Sequence, residues 1–412
     1  MKNTFKKVMS LTLAAALTVG SVFSLASCNK KNDKNYAAGN TTIKIGVSGP
    51  LTGGAAKYGV AVKNSAQMAV DEINEAGGLD GMLFELLALD DEHKKDKVTT
   101  TYSAMYEAGM QISLGTVTTA PGLEFKELTK EDNVFALTPS ATGDGITEHD
   151  NTYQMCFSDS SQGTAAAKVF NEEYKGLKVG LFYKTDDEYS MGIYENFMAN
   201  LDQSFKASLV EAPFSGDGLD FSTQAQKLKD CDVVFLPVYT GPAAALMTKG
   251  VGVLKDDAVY YGCDGLDGVE AEFNTMEQFM QIPQEVSFLS HFNTNAEAGP
   301  AYEFVQKYNA KFDEDTWPVN QFGASAYDCV YAIYAALKVA KANGKEFDTT
   351  TSASDFCEIL KEVFNSDSFV FHGITGKCDV VNNTKSEISW NADGTVSKAA
   401  DKFVVKQKNS KK

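Results

Sequence analysis

A repeated alternation of short apolar runs with longer stretches of helical period limits the fold of this chain more than any other feature. Residues 43–48 read as a strand, and Gly49-Pro-Leu-Thr-Gly-Gly54 as a turn-rich exit from it. In the following helix, about 59–76, Val62, Ala66, Ala69 and Ile73 recur at helical spacing and give one apolar face. Gly77 and Gly78 end it, as helix C-caps do. Strand 83–89, helix 95–109, strand 112–115, helix 121–131 and strand 133–137 follow. Pro121 sits in the favoured first turn of its helix. A second series starts near residue 160: helix 161–174, strand 177–183, helix 190–203, strand 207–211, helix 220–229, strand 231–237, helix 241–250 and strand 258–262. Such alternation means parallel sheets covered by helices on both faces. Two series mean two α/β lobes, each a doubly wound parallel sheet. Helices near 298–313, 321–343 and 353–364 exceed what the second sheet needs. They imply a return to the first lobe and a final pass to the second.

Doubly wound sheets take ligands at the carboxyl ends of their strands. In a two-lobed chain those ends can face each other across a cleft. The candidate segments are therefore 48–58, 116–121, 138–144, 184–192, 238–242 and 263–268. They are rich in Ser, Thr, Tyr, Gly and Asp, as ordinary βα turns also are.

The N-terminus bears on the compartment. Lys2, Lys6 and Lys7 precede a mostly apolar run from Val8 to Leu25, which ends in Leu25-Ala26-Ser27-Cys28. This has the form of an export signal over residues 1–27. The tetrapeptide closely resembles the bacterial lipobox, which implies cleavage before Cys28 and a lipid on its thiol. The expected location is extracytoplasmic, anchored to the outer face of the bacterial cell membrane. Residues 29–40, NKKNDKNYAAGN, are too polar to pack and read as a flexible tether. No later run of 18 apolar residues reads as a membrane span.

Composition narrows the partners. The formal net charge of -18 argues against nucleic acid, whose phosphates need basic side chains. All 37 basic residues are lysines. Without arginine, any bound anion must be held by hydroxyls, backbone N–H groups or Lys. The seven cysteines include no C-x-x-C pair, and the six beyond Cys28 read as small buried apolar residues. The four histidines are far apart in sequence, so no metal site is expected. No catalytic G-x-S-x-G elbow, Walker loop or H-E-x-x-H helix occurs. Gly216-Asp-Gly218 and Gly250-Val-Gly252 lack the third glycine of a dinucleotide fingerprint. No cofactor and no catalytic residue is expected.

Several segments, taken in order, carry a resemblance. They are Ile45-Gly-Val-Ser-Gly-Pro-Leu-Thr-Gly53 with Tyr58-Gly59, Ala69-Val-Asp-Glu-Ile-Asn-Glu-Ala-Gly-Gly-Leu79, Thr138-Pro-Ser-Ala-Thr142, Asp159-Ser-Ser-Gln-Gly163, Phe221-Ser222, Gly262-Cys-Asp-Gly-Leu266 and Phe371-His-Gly-Ile-Thr-Gly376. Spread over about 42–405, this ordered set resembles the leucine/isoleucine/valine-binding protein family. The resemblance implies a type I periplasmic-binding-protein fold, two lobes joined by a three-segment hinge. Residues 42–157 and 288–370 would form lobe 1, and residues 158–287 and 371–405 lobe 2. Residues 28–41 would be the lipid-anchored tether and 406–412 a disordered tail. It further implies a monomeric receptor of an ABC importer. That receptor closes on an amino acid, branched-chain or otherwise apolar or aromatic, and presents it to an ABC permease. A sensing receptor of the same fold, or a binder of a small amide or other solute, is the alternative; an enzyme is a third class.

Carried over by position, the resemblance assigns Tyr58, Val117, Thr118, Thr119, Ser140, Ala141 and Thr142 to the first lobe's share of the site. A hydroxyl at Thr119 and groups around Ser140–Thr142 would hold the ligand carboxylate and help with its ammonium. Thr118 and Thr119 can equally be caps of the helix that follows. The second lobe would supply Tyr189, Tyr239 and Asp264, with Asp264 pairing the ligand ammonium. An Asp in Cys263-Asp-Gly265 is also a common turn residue. Tyr58, Tyr189, Tyr239 and Phe322 would wall the side-chain pocket, although Phe322 by itself reads as core. Some members carry a disulfide near the places of His93 and Thr118, and here neither is Cys.

Overall fold

The structure is a computed structural model that describes residues 34–206, 208–313, 317–378, 382–398 and 400–408. The signal segment, Cys28 and the tether up to residue 33 lie outside the described residues.

The first sheet grows outward from β1 (Ile43–Gly49), an apolar run almost wholly buried, as a strand covered on both faces must be. Helix α1 (Ala56–Glu75) returns the chain to β2 (Phe84–Asp90). Next come α2 (Lys95–Glu107), β3 (Ile112–Thr116), α3 (Thr119–Asp132), β4 (Ala136–Thr138) and β5 (Thr152–Gln154). All pairs are parallel, in the order β2-β1-β3-β4-β5.

The second sheet is built by α4 (Asp159–Glu173), β6 (Val179–Leu181), α5 (Glu188–Asn200), α6 (Gln203–Lys206), β7 (Val210–Glu211) and α7 (Ser222–Leu228). It continues through β8 (Val233–Leu236), α8 (Thr240–Gly250), β9 (Val259–Gly262), α9 (Met276–Gln281) and β10 (Glu285–Ser290). The chain then adds α10 (Gly299–Lys311), α11 (Gln321–Ala342) and α12 (Ala353–Phe364) to the first lobe. A hairpin of β11 (Phe371–Gly373) and β12 (Ser386–Ile388) follows, and β13 (Asp401–Lys406) joins β10 antiparallel. The second order is β13-β10-β9-β8-β6-β7.

Both faces of each sheet are covered. In lobe 1, α1, α10, α11 and α12 share one core, while Val98 of α2 and Phe125 of α3 belong to another. In lobe 2, α7 and α8 cover one face and α4 and α5 the other. Helices α1 and α11 pack closely because Gly323 has no side chain. A Cβ there would stand 2.7 Å from Ser65 Oγ and 3.1 Å from Ala61 O.

The chain crosses between lobes at 155–158, at 291–292 and between Val396 and Asp401. Two stretches differ from the sequence-based division. Residues 288–290 belong to β10 in the second sheet, and Phe371, Ile374, Ile388 and Val396 pack in the core of lobe 1. Only the last strand returns to lobe 2. The apolar faces of β11 and β12 find α11 within reach, and period alone does not say which core a short strand joins. The expected tether is also shorter. Residues 35–40 dock on lobe 1: Asn40 is buried, with Nδ2 donating to Gly109 O at 2.8 Å, and the Tyr36 ring lies 5.4 Å from that of Tyr106. Lys406, assigned to the tail, is the buried last residue of β13.

The strand orders place the ligand side. In each sheet the first strand has its successor on one side and the next on the other, a topological switch point. In lobe 1 it lies between β1 and β3; in lobe 2, between β6 and β8. The loops leaving these four strands, with the first turns of the helices that follow, hold Tyr58, Val117, Thr118, Tyr189 and Tyr239.

Candidate functional site

In the first lobe, Tyr58 lies in the first turn of α1. Gly59 lets that turn press onto Pro50, whose carbonyl oxygen would be 2.0 Å from a Cβ there. Val117 and Thr118 connect β3 to α3, and Ser140 and Thr142 follow β4. Ser140 Oγ donates to Val117 O at 2.7 Å, which locks the two loops together. Thr118 is the N-cap residue of α3, yet its side chain makes no cap bond. Its Oγ1 shares a hydrogen bond of 2.8 Å with His93 Nδ1 instead. The Thr118 side chain thus leaves the first N–H groups of α3, those of Thr119 and Ala120, without a cap, at the positive end of the helix dipole.

In the second lobe, Tyr189 opens α5, Tyr239 precedes α8, and Asp264 and Gly265 follow β9. The Tyr189 hydroxyl donates to Asp264 Oδ1 at 2.7 Å and accepts from Gly265 N at 2.8 Å. Only glycine permits this, since a Cβ on residue 265 would stand 2.6 Å from that hydroxyl. Asp264 N donates to Gln162 Oε1 at 2.9 Å. The Tyr189 and Tyr239 rings stack at 4.6 Å.

Tyr58, Val117, Thr118, Ser140, Thr142, Tyr189, Tyr239, Asp264, Gly265 and Phe322 enclose one cavity between the lobes. Thr119 and Ala141 do not line it. The Thr119 hydroxyl faces Thr142 Oγ1 at 3.4 Å, and the Ala141 carbonyl accepts from Gln154 Nε2 at 2.9 Å. Phe322 begins α11 with its ring edge-on to Tyr58 at 5.1 Å, so it serves core and cavity at once. A second small cavity, beneath α3 and lined by Phe125 and Ile146, lies inside lobe 1 and away from the cleft.

The lobes are closed. Tyr58 reaches across to donate to Gly265 O at 2.7 Å and to accept from Thr240 N at 3.0 Å. Lys57 pairs with Glu272 at 3.1 Å, and Lys95 pairs with Glu188. The cleft cavity is about 10 Å³, room for roughly one water. Entry of anything larger requires the lobes to part about the three crossings.

Charge in the cleft is one-sided. Burial raises the Asp264 carboxyl to about 6, while hydrogen bonds from Tyr189 and Gln162 oppose the rise. Burial holds Asp159 well above the ordinary carboxylate range too; a Thr142 hydrogen bond opposes this and the Asp264 charge adds to it. Asp159 Oδ1 has no hydrogen-bond partner among the described residues. The nearby partners are phenols, amides and hydroxyls, so a cation from outside would complete the site.

A family model for periplasmic binding proteins matches residues 42–375. The chain belongs to the periplasmic binding protein family. The Leu/Ile/Val-binding protein BraC3 of Rhizobium johnstonii is 27% identical over 357 residues, covering 85% of this chain and 92% of the relative. The branched-chain amino acid transporter substrate-binding protein LivJ of Streptococcus pneumoniae, solved with isoleucine, is 26% identical with a TM-score of 0.68. The match covers 88% of this chain and 99% of LivJ. The leucine-binding protein LivK of Thermotoga maritima shares the fold, with a TM-score of 0.71 at 22% identity over 89% of this chain and 97% of its own. Members of this family are solute-binding receptors that work outside the cytoplasm. The chain is a substrate-binding protein of that kind.

Three residues at the cleft were not singled out as site residues from sequence: Asp159, Gly265 and His93. Asp159 and Gly265 lie inside segments that carry the resemblance, and that was the available signal. For His93 the signal was the family disulfide near its place and that of Thr118, which implies that the two positions meet; nothing in the sequence linked it to Tyr239, 146 positions away. The six described cysteines are free, and five of them are buried. Among the described residues no helix is long and apolar enough to cross a membrane. Glu127, Glu148 and His149 come together at the surface, but Lys126 already bridges both carboxylates.

Proposed function

We propose that the cleft binds the zwitterionic end of an amino acid and that closure of the lobes delivers it to an ABC permease. The ammonium pairs with Asp264, with Asp159 beside it, and the carboxylate takes the open N–H groups at the start of α3 with the Thr118 and Ser140–Thr142 segment. The observation that carries this reading is Asp264 itself: a buried carboxylate held by the Tyr189 hydroxyl and the Gly265 amide, with no lysine paired to it among the described residues. A charge so placed is stable only with a cationic partner or a proton. The opposite lobe presents an uncapped helix of 14 residues, which favours an anion. A group with both charges a few ångströms apart satisfies both lobes at once, so it favours the closed state over the open one. Tyr58, Tyr239, Val117 and Phe322 wall the remaining space and suit an apolar or aromatic side chain. The Leu/Ile/Val-binding relatives point to the branched-chain amino acids first. The mature chain is held at the membrane by a lipid on Cys28 and acts as a monomer.

The test is a thermal-shift screen of the purified protein against the twenty amino acids, small amides and sugars. A rise with one or a few amino acids is expected, since a ligand specific for the folded state stabilises it. A rise with sugars or amides alone overturns the zwitterion assignment.

A further inference from the structure

Two successive residues after β2 adopt the left-handed conformation without being glycine: Glu92 at φ 53° and His93 at φ 59°. That backbone is unfavourable for any residue with a Cβ, and it persists only where the surroundings impose it. Here they do. Asp90 Oδ1 accepts from Glu92 N and Asp91 Oδ1 accepts from His93 N, both at 2.9 Å. Asp90 also accepts from Leu51 N at 2.8 Å, and Asp91 from Ser48 Oγ at 3.1 Å. The strained turn is thereby tied to the loop leaving β1.

The turn aims one side chain. His93 Nδ1 lies 2.8 Å from Thr118 Oγ1, at the start of α3. Its ring stands edge-on to Tyr239 of the second lobe, with centroids 5.2 Å apart at 81°. Thr118 and Tyr239 line the cavity, and His93 does not. The imidazole therefore touches one wall residue from each lobe from behind.

We propose that His93 is a positioning residue of the cleft: it orients the Thr118 hydroxyl and, when the lobes close, packs its ring against Tyr239. This rests on the reading that the cleft binds its ligand by closure. It goes further in tying closure to the protonation of one side chain. Lys184, Glu188 and Asp217 face the imidazole from the second lobe, and Asp91 lies on its own turn. Glu188 is already paired with Lys95. Burial, with help from Lys184, lowers the affinity of His93 for a proton, against Asp217 and Glu188. Closure accordingly disfavours the imidazolium. The closed state has its full strength above the ordinary histidine value of about 6.5 and loses it as pH falls through that value.

The probe is L-leucine, titrated calorimetrically at about pH 7.5 and about pH 5.5, on either side of that value. His93→Phe keeps a ring against Tyr239 but loses the bond to Thr118; His93→Gln restores a hydrogen-bonding group without a titration. The expected result is about tenfold weaker binding in His93→Phe at the higher pH, the scale of one lost hydrogen bond. His93→Gln should recover part of that affinity, and both variants should lose less than the wild type on acidification. Equal affinities, or equal pH slopes in wild type and variants, overturn the proposal. If His93→Phe does not fold, the His93 imidazole signal of the wild type decides by nuclear magnetic resonance. Added leucine must lower its titration midpoint, and an unmoved midpoint overturns the proposal. If wild type binds no leucine, the branched-chain reading has failed separately. The comparison of ligand-free wild type with Thr118→Val then decides: a shifted His93 signal supports the bond to Thr118, which lies within lobe 1, and an unshifted one refutes the positioning role.

Discussion

The Tyr189 phenol donates to Asp264 Oδ1 at 2.7 Å while accepting the Gly265 N–H at 2.8 Å, so one hydroxyl holds both the carboxylate and the backbone beside it. The carboxylate is thus aimed before any ligand arrives. Asp264→Asn keeps the shape and removes the charge. A charge-assisted bond is worth about 1.5–3 kcal/mol, so affinity for an amino acid should fall by roughly tenfold to a hundredfold. Isothermal calorimetry reads this directly, and an unchanged Kd would falsify the ammonium assignment.

Burial raises Asp264 to about 6 and Asp267 to about 7, both from an ordinary 3.8. Each therefore binds its proton more tightly in the folded chain than in the unfolded one. The stability each contributes is complete below about pH 4 and is lost as pH rises through its folded value. Relative to wild type, Asp267→Asn should gain in melting temperature between about pH 5 and about pH 7.5, because it has no such proton to lose. Ligand binding at Asp264 has the opposite sign. It needs the carboxylate, so amino-acid affinity should fall as pH drops below about 6. Thermal unfolding with and without amino acid across that window checks both; parallel curves for wild type and variant would count against the first.

Tyr58 spans the cleft, with its hydroxyl between Gly265 O and Thr240 N. In the open form water can serve those two groups. In Tyr58→Phe the closed form leaves both without this partner, at about 1–3 kcal/mol for an unmade buried bond. The variant should release its amino acid several-fold to a hundredfold faster, with little change in the rate of capture. Stopped-flow dissociation measures this, and an unaltered off-rate would show that Tyr58 does not hold the lobes together.

The lipid proposed on Cys28 predicts where the protein fractionates. With Cys28 intact, labelled palmitate should be incorporated and the protein should sediment with membranes. Cys28→Ser should remove the label and release the protein to the soluble fraction, because a thioether needs the thiol. Membrane retention of an unlabelled Cys28→Ser chain would point to another anchor.

Much of the architecture is readable along the chain. The apolar spacing of Val62, Ala66, Ala69 and Ile73 marks the buried face of α1, where all four are nearly inaccessible. Helices read at 321–343 and 353–364 correspond to α11 and α12, because helical period is a property of neighbours three and four apart. Short strands were harder. Residues 152–154 and 285–290 are strands because partners were waiting for their backbone groups, and three to six residues carry too little pattern to announce it.

The sequence alone determined the two α/β series, the polar loops after the strands and the absence of any arginine to clamp an anion. Those follow from local spacing and composition. Only the tertiary structure decided that Asp264 is buried with a tyrosine rather than exposed in a turn, and that Asp159 shares its neighbourhood. It likewise decided that His93 meets Tyr239 of the second lobe. Each of these depends on which groups meet across the cleft and on how much water they exclude, and burial and pairing between distant segments have no local signature.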